Sequence, residues 1–244
     1  MNIRARALLG WVAVIALSAA LAACGGSGEQ PDLTTGEITD AQLNLMVLGR
    51  ADLGEEYADL QFIEQAGFLT NETRVKWALD PEDEASDLER FGRVNGYEAA
   101  YVAFARPAEG AGLDEIRVGV SLFADAAGAS AYLEDELADI EQGTGGQHAG
   151  MILEDVKRFK VGGIADRSVG FRARATAAAG QDSAAPTNVT QVYFRRGRLL
   201  ADVAIGRVDE EDASEAVQTL ARKLDERIQA VLRGEVTPTP TVQP

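Results

Sequence analysis

A chain of 244 residues with 39 acidic and 23 basic side chains carries a formal net charge of −16 at neutral pH. That balance repels nucleic-acid phosphates and anionic lipid alike, which excludes nucleic-acid binding and a domain lying flat on a membrane. One histidine and one cysteine leave internal disulfides, cysteine-bound metal and a histidine-rich zinc centre without their ligands.

The chain opens with two positive charges, Arg4 and Arg6, followed from Ala7 to Ala23 by an almost wholly apolar run that ends in small residues. This is the order of an export signal. The run is slightly shorter than the ~20 apolar residues a spanning helix needs, and no charged flank follows it. Its junction, Leu21-Ala22-Ala23-Cys24 with Gly25 and Gly26 behind it, resembles the lipobox of bacterial lipoproteins. The resemblance covers about 24 residues. It implies cleavage before Cys24, a diacylglyceryl group on the Cys24 thiol, acylation of the palmitate type, and a mature protein held on the extracytoplasmic side of a bacterial cell envelope. Two or more acyl chains make such an anchor stable, at about 0.8 kcal/mol per buried CH₂. Loss of residues 1–23 leaves 21 basic and 39 acidic side chains, a net charge of −18.

Residues 24–37 join the lipidated cysteine to a Gly-, Ser- and Thr-rich stretch that reads as a flexible tether, about 20 Å in mean span. Residues 234–244 alternate Thr and Pro and read as an extended, disordered tail. Between them, residues 38–233 suffice for one well-buried domain.

Thr39-Asp40 precedes Leu43, Met46, Val47 and Leu48 in the pattern of a short capped helix. Asp80-Pro81 starts another, with Asp80 as cap and Pro81 in the first helical position. From Gly96 the apolar period changes to two: Tyr97 to Phe104, then Ile116, Val118, Val120 and Leu122, form a strand pair. Asp125 caps a helix with Ala129, Leu133, Leu137 and Ile140 on one side. The same order returns in Val169 to Ala175, Val189 to Phe194, the turn Arg195-Arg196-Gly197-Arg198, and Leu199 to Ile205. A long helix capped by Asp209 follows, striped by Ala213, Val217, Leu220, Leu224, Ile228 and Val231.

These elements predict an α+β fold. It is a two-layer sandwich in which a mainly antiparallel sheet is covered on one face by two amphipathic helices, with an internal duplication of a strand-strand-helix unit over about 93–143 and 165–233. The other sheet face is then open.

Chemistry is sparsely marked. His148 sits in a glycine-rich run, Gly143 to Gly150, with no Gly-Lys-Ser/Thr after it; it reads as a linker between the repeats, not a P-loop. No Gly-x-Ser-x-Gly elbow occurs. The acids at 80, 82, 83, 84 and 87 lack calcium-loop spacing and suit the first turn of a helix. Charge is more informative: seven arginines against Asp182 and Asp202 make residues 167–207 a basic segment of an acidic chain. Arg172 and Arg174 alternate onto the outer sheet face, and Arg195, Arg196 and Arg198 crowd one hairpin end. Guanidinium forks grip carboxylate or phosphate. The alternative is pairing with the chain's own acids.

The reading is a lipid-anchored, non-enzymatic binding or sensing module, attached to the membrane through Cys24 and facing an anionic ligand or acidic partner through those five arginines. It needs no cofactor, metal or nucleic acid. The alternatives are an accessory lipoprotein docking on an envelope complex and a carboxylate-based hydrolase.

Overall fold

The computed structural model describes residues 33–62, 67–78, 80–103, 112–141, 151–177 and 186–236. The signal and Cys24, His148 and residues 237–244 lie outside them. The described residues start inside the expected tether and are packed there: Leu33–Thr35 forms a 3₁₀ turn and Thr34 is 1% exposed.

The first helices are α1 (Asp40–Met46) and α2 (Arg50–Leu53), followed by strand β1 (Leu60–Phe62) and helices α3 (Asn71–Trp77) and α4 (Pro81–Arg90). Thr39 caps α1 in a full capping box: the Gln42 amide donates to its hydroxyl, and Gln42 Oε1 accepts from its backbone N–H. Asp80 caps α4 as expected, accepting from the Glu82 and Asp83 amides at 3.1 and 3.2 Å, with Pro81 at the helix start. Asp80→Ala removes both bonds and should cost about 1 kcal/mol in a urea-denaturation midpoint; an unchanged midpoint would show that Pro81 alone sets this helix start.

The remaining elements are β2 (Arg93–Ala103), β3 (Leu113–Phe123), α5 (Ala126–Glu141), β4 (Met151–Phe159), β5 (Arg167–Ala177), β6 (Thr187–Arg196), β7 (Leu199–Arg207) and α6 (Ser214–Leu232). All seven strands join one antiparallel sheet in the order β1-β2-β3-β7-β6-β5-β4. The α+β class and antiparallel sheet follow the period-two alternation. The β6–β7 connection is a two-residue loop with Gly197 at φ +53°, a position where glycine avoids the left-handed penalty.

Placement of the helices differs from expectation. Ile116, Val118, Val120 and Leu122 of β3, Val192 and Phe194 of β6, and Leu199, Ala201, Val203 and Ile205 of β7 share one face with α1 and α6. Phe123, Leu200, Tyr193, Phe171, Ala173 and Ala175 point the other way and pack on Tyr132, Leu133, Leu137 and Ile140 of α5. The two long helices therefore cover opposite faces, and the layers are helix, sheet, helix. The physical reason is visible in β6 and β7: both parities carry bulky apolar residues, so both faces require cover.

This arrangement also bears on the repeat. Strand-strand-helix order does recur, as β2-β3-α5 and β6-β7-α6. A rotation that places antiparallel β3 on β7 keeps each face of the sheet on its own side, whereas α5 and α6 lie on opposite sides. The two units therefore have opposite hands and do not superpose.

Asp125 caps α5, accepting from the Gly128 amide at 2.7 Å. Asp209 does not cap α6. It accepts from Arg207 and from the Gly112 amide, while Asp212 accepts from the Ser214 amide at 2.8 Å. The strong local pairing of Asp209 with Arg207 holds it in the loop, and the helix start lies four residues downstream, with Ala213 in the cap position.

Candidate functional site

The five arginines singled out by charge do not form one surface. Arg172 and Arg174 share the α6 face of β5, as alternation demands; Arg172 is ion-paired with Asp212, and Arg174 is exposed opposite Glu154 and Asn188. Arg195 lies on the α5 face, 3.2 Å from Asp166. Arg196 forks onto Asp225 of α6 at 2.6 and 2.8 Å. Arg198 turns onto backbone carbonyls of Thr34, Gly36 and Phe123. Apart from exposed Arg174, the local positive charge is spent on the protein's own acids and carbonyls, which is the structural alternative for such a segment.

A more concentrated polar site lies on the α5 face of the central strands. In an antiparallel sheet, residues directly opposite share a face, so Glu98, Gly119, Asp202 and Tyr193 form one row across β2, β3, β7 and β6. Ala100, Arg117, Ala204 and Gln191 form the next. Gly119 is the space-maker: a Cβ there would stand 2.5 Å from Asp202 Oδ1, so only glycine lets that carboxyl lean over β3.

The row is wired from two sides. Gln191 Nε2 donates to Asp202 Oδ2 at 3.1 Å. The Tyr193 hydroxyl donates to Glu136 of α5 at 3.3 Å. From α3, Arg74 donates to the Tyr132 hydroxyl at 2.7 Å and pairs with Glu84 of α4 at 2.9 Å. Arg117 pairs with Glu115 on its own strand, and their side chains keep 34% and 23% exposure. Arg93 closes the lower end, donating to Ser121, Asn71 and the Leu69 carbonyl.

Burial dominates the acid–base behaviour. Desolvation, reinforced by the Glu98 charge and opposed by Arg74, pushes the Asp202 carboxyl up to about 7. Glu98 and Glu136 are also raised, chiefly by desolvation, with Arg117 and Arg74 pulling Glu98 back and Arg74 pulling Glu136 back. Desolvation works against the charge on Arg74, but Tyr132, Glu84 and Glu136 outweigh it and hold the guanidinium protonated. Burial and neighbouring Arg74 bring Arg93 down to about 9, still a cation at neutral pH.

The result is a partly water-accessible floor that offers the Arg117 guanidinium and two carboxyls, Glu98 and Asp202, that bind protons more readily than free ones, with Asp202 held by the buried Gln191 amide. It can hold a polar ligand by directed hydrogen bonds, and Asp202 changes its donor or acceptor character near neutrality. Among the described residues, no group of three or more His, Cys, Asp or Glu is placed to hold a metal ion, and no helix is long and apolar enough to cross a membrane. Sequence reasoning passed over this site because its acids are scattered over residues 84–202. The one available signal was Asp202, a lone acid inside the alternating run Leu199 to Ile205.

No protein-family model and no curated protein matches this chain. Among solved structures, the extracellular domain of PknH from Mycobacterium tuberculosis is similar at 9% sequence identity and a TM-score of 0.48, covering 80% of this chain and 98% of that one.

Proposed function

We propose that this chain is a lipid-anchored, extracytoplasmic binding or sensing module without catalytic activity, tethered through acylated Cys24, with its ligand surface on the floor formed by Glu98, Arg117 and Asp202. The observation that supports the ligand surface is the row around Gly119. Charged and polar groups stand on the middle of a sheet face, where apolar residues would pack better, and remain in part open to water. A fold tolerates that cost where the groups have work outside packing. Arg117 is the group suited to an anionic ligand, and the two carboxyls suit ligand hydroxyl or amine donors.

The test is a thermal-melt panel on the mature chain carrying Cys24→Ser, against anionic envelope components, simple sugars and small amines. A ligand at a hundred times its Kd adds roughly 2.7 kcal/mol to the native state. The expected result is a shift that disappears in Glu98→Gln/Arg117→Met and persists in Arg172→Ala/Arg174→Ala. A shift abolished only by the latter pair would return the ligand to the α6 face. No shift with any compound would favour an accessory role in which the domain docks on an envelope protein. Turnover of a sugar, lost in Asp202→Asn, would favour the carboxylate hydrolase. Acylation is read separately, as membrane partition and an added lipid mass on Cys24, both lost in Cys24→Ser.

A further inference from the structure

The route by which the chain enters the domain bears on which end of the domain meets a membrane. Arg198 lies in the β6–β7 turn. Its amide donates to Thr34 Oγ1 at 3.1 Å, Nε to the Thr34 carbonyl at 2.8 Å, and Nη2 to the Gly36 carbonyl at 2.7 Å. Nη1 reaches the Phe123 carbonyl, at the end of β3, at 3.3 Å. One guanidinium fork therefore ties the incoming segment to two strand ends, and Thr34 beneath it is 1% exposed.

The strand register places this tie at one end of the sheet. Arg93, Phe123, Arg196 and Leu199 are paired there, whereas Glu115, Asn188 and Arg207 mark the opposite end. Nine paired residues run from Asn188 to Arg196 on β6, and at about 3.4 Å per step the ends stand roughly 27 Å apart. The far end carries Asp209, Glu210, Glu211 and Asp212, of which Asp209 and Glu211 share Arg207 and Asp212 pairs with Arg172.

We infer that residues 33–36 and Arg198 form a strap that presents the β6–β7 hairpin end to the lipid bilayer and holds the opposite end away from it. The inference rests on the acylation of Cys24 proposed above. Nine residues from Cys24 reach at most about 32 Å, whereas release of the strap as far as Ile38 would extend that limit to about 50 Å. The strap keeps the hairpin end within the shorter radius.

The full lipidated chain in phosphatidylcholine/phosphatidylglycerol vesicles with a headgroup acceptor dye tests this by energy transfer. A donor is placed on Gly162→Cys, in the β4–β5 loop at the hairpin end with open space around it, or on Glu210→Cys at the far end. Transfer from position 162 should be several-fold higher than from position 210. The difference should shrink towards parity in Arg198→Ala. It should also shrink when twelve Gly/Ser residues are inserted between Glu29 and Gln30, a change that leaves every residue of the strap intact. Equal transfer in the parent chain, or a difference that survives both changes, overturns the strap. If the parent chain stays in the soluble fraction like the Cys24→Ser control, the anchoring itself fails and the orientation fails with it.

Discussion

Replacing Arg74 with methionine should destabilise the domain by about 3–5 kcal/mol, the usual cost of removing one partner from a buried ion pair. The effect is large because of what remains. The Glu84 side chain is 1% exposed, its Oε1 is held by Arg74 at 2.9 Å, and its Oε2 is buried without a hydrogen-bond partner among the described residues. Without the guanidinium that carboxylate is charged, dry and unpaired. Tyr132 loses the donor to its hydroxyl at the same time. Chemical denaturation at neutral pH measures the loss, and the double variant Arg74→Met/Glu84→Gln should recover part of it, since an amide carries no charge to strand. Two results would sink this account: a loss below about 1 kcal/mol, or a double variant no better than Arg74→Met.

Asp202→Asn should act in the opposite direction and depend on pH. An acid whose folded pKa lies above its unfolded value binds its proton more tightly when folded. It therefore contributes stability below the unfolded value, and that contribution is lost as the pH rises through the folded one. For Asp202 the window runs from the ordinary aspartate value of 3.8 to about 7. The full displacement corresponds to roughly 4 kcal/mol, and the water access that Asp202 retains screens it to about 2 kcal/mol. Stability curves of the parent and variant should lie together near pH 4 and separate in favour of the variant by pH 8. Glu98 and Glu136, whose values are raised in the same direction, contribute to both curves, and because their charges raise Asp202 the difference includes that coupling. Asparagine can still accept from Gln191, so the local hydrogen bond is preserved. Parallel curves across this range would mean that Arg74 and Arg117 already neutralise the ionised carboxylate. A more stable variant that also loses ligand would mark Asp202 as a binding group kept at the expense of stability.

The arginines illustrate how charge in a sequence becomes ambiguous in a fold. Alternation along β5 correctly puts Arg172 and Arg174 on one face, because strand side chains have a period of two. It says nothing about what packs there, and α6 brings Asp225 to Arg196 while the loop before it brings Asp212 to Arg172. Arg198 was legible as part of a turn, but its partners at Thr34 and Gly36 are more than 160 positions away.

The sequence by itself determined the local elements that carry their own signals. Thr39 and Asp80 mark helix starts through side chains that reach their own first turns, Gly197 marks the hairpin, and period-two runs mark β3, β5 and β7. It also determined the antiparallel class, because strands joined by short turns have no other way to pair. The tertiary structure decided the face each long helix covers and the row on which Glu98, Gly119 and Asp202 meet. Apolar periodicity records that a side of an element is buried but not against what. Cross-strand rows join residues whose separation along the chain is set by topology: here β3 pairs with β7 across a gap of about 80 residues, and no local pattern encodes that gap.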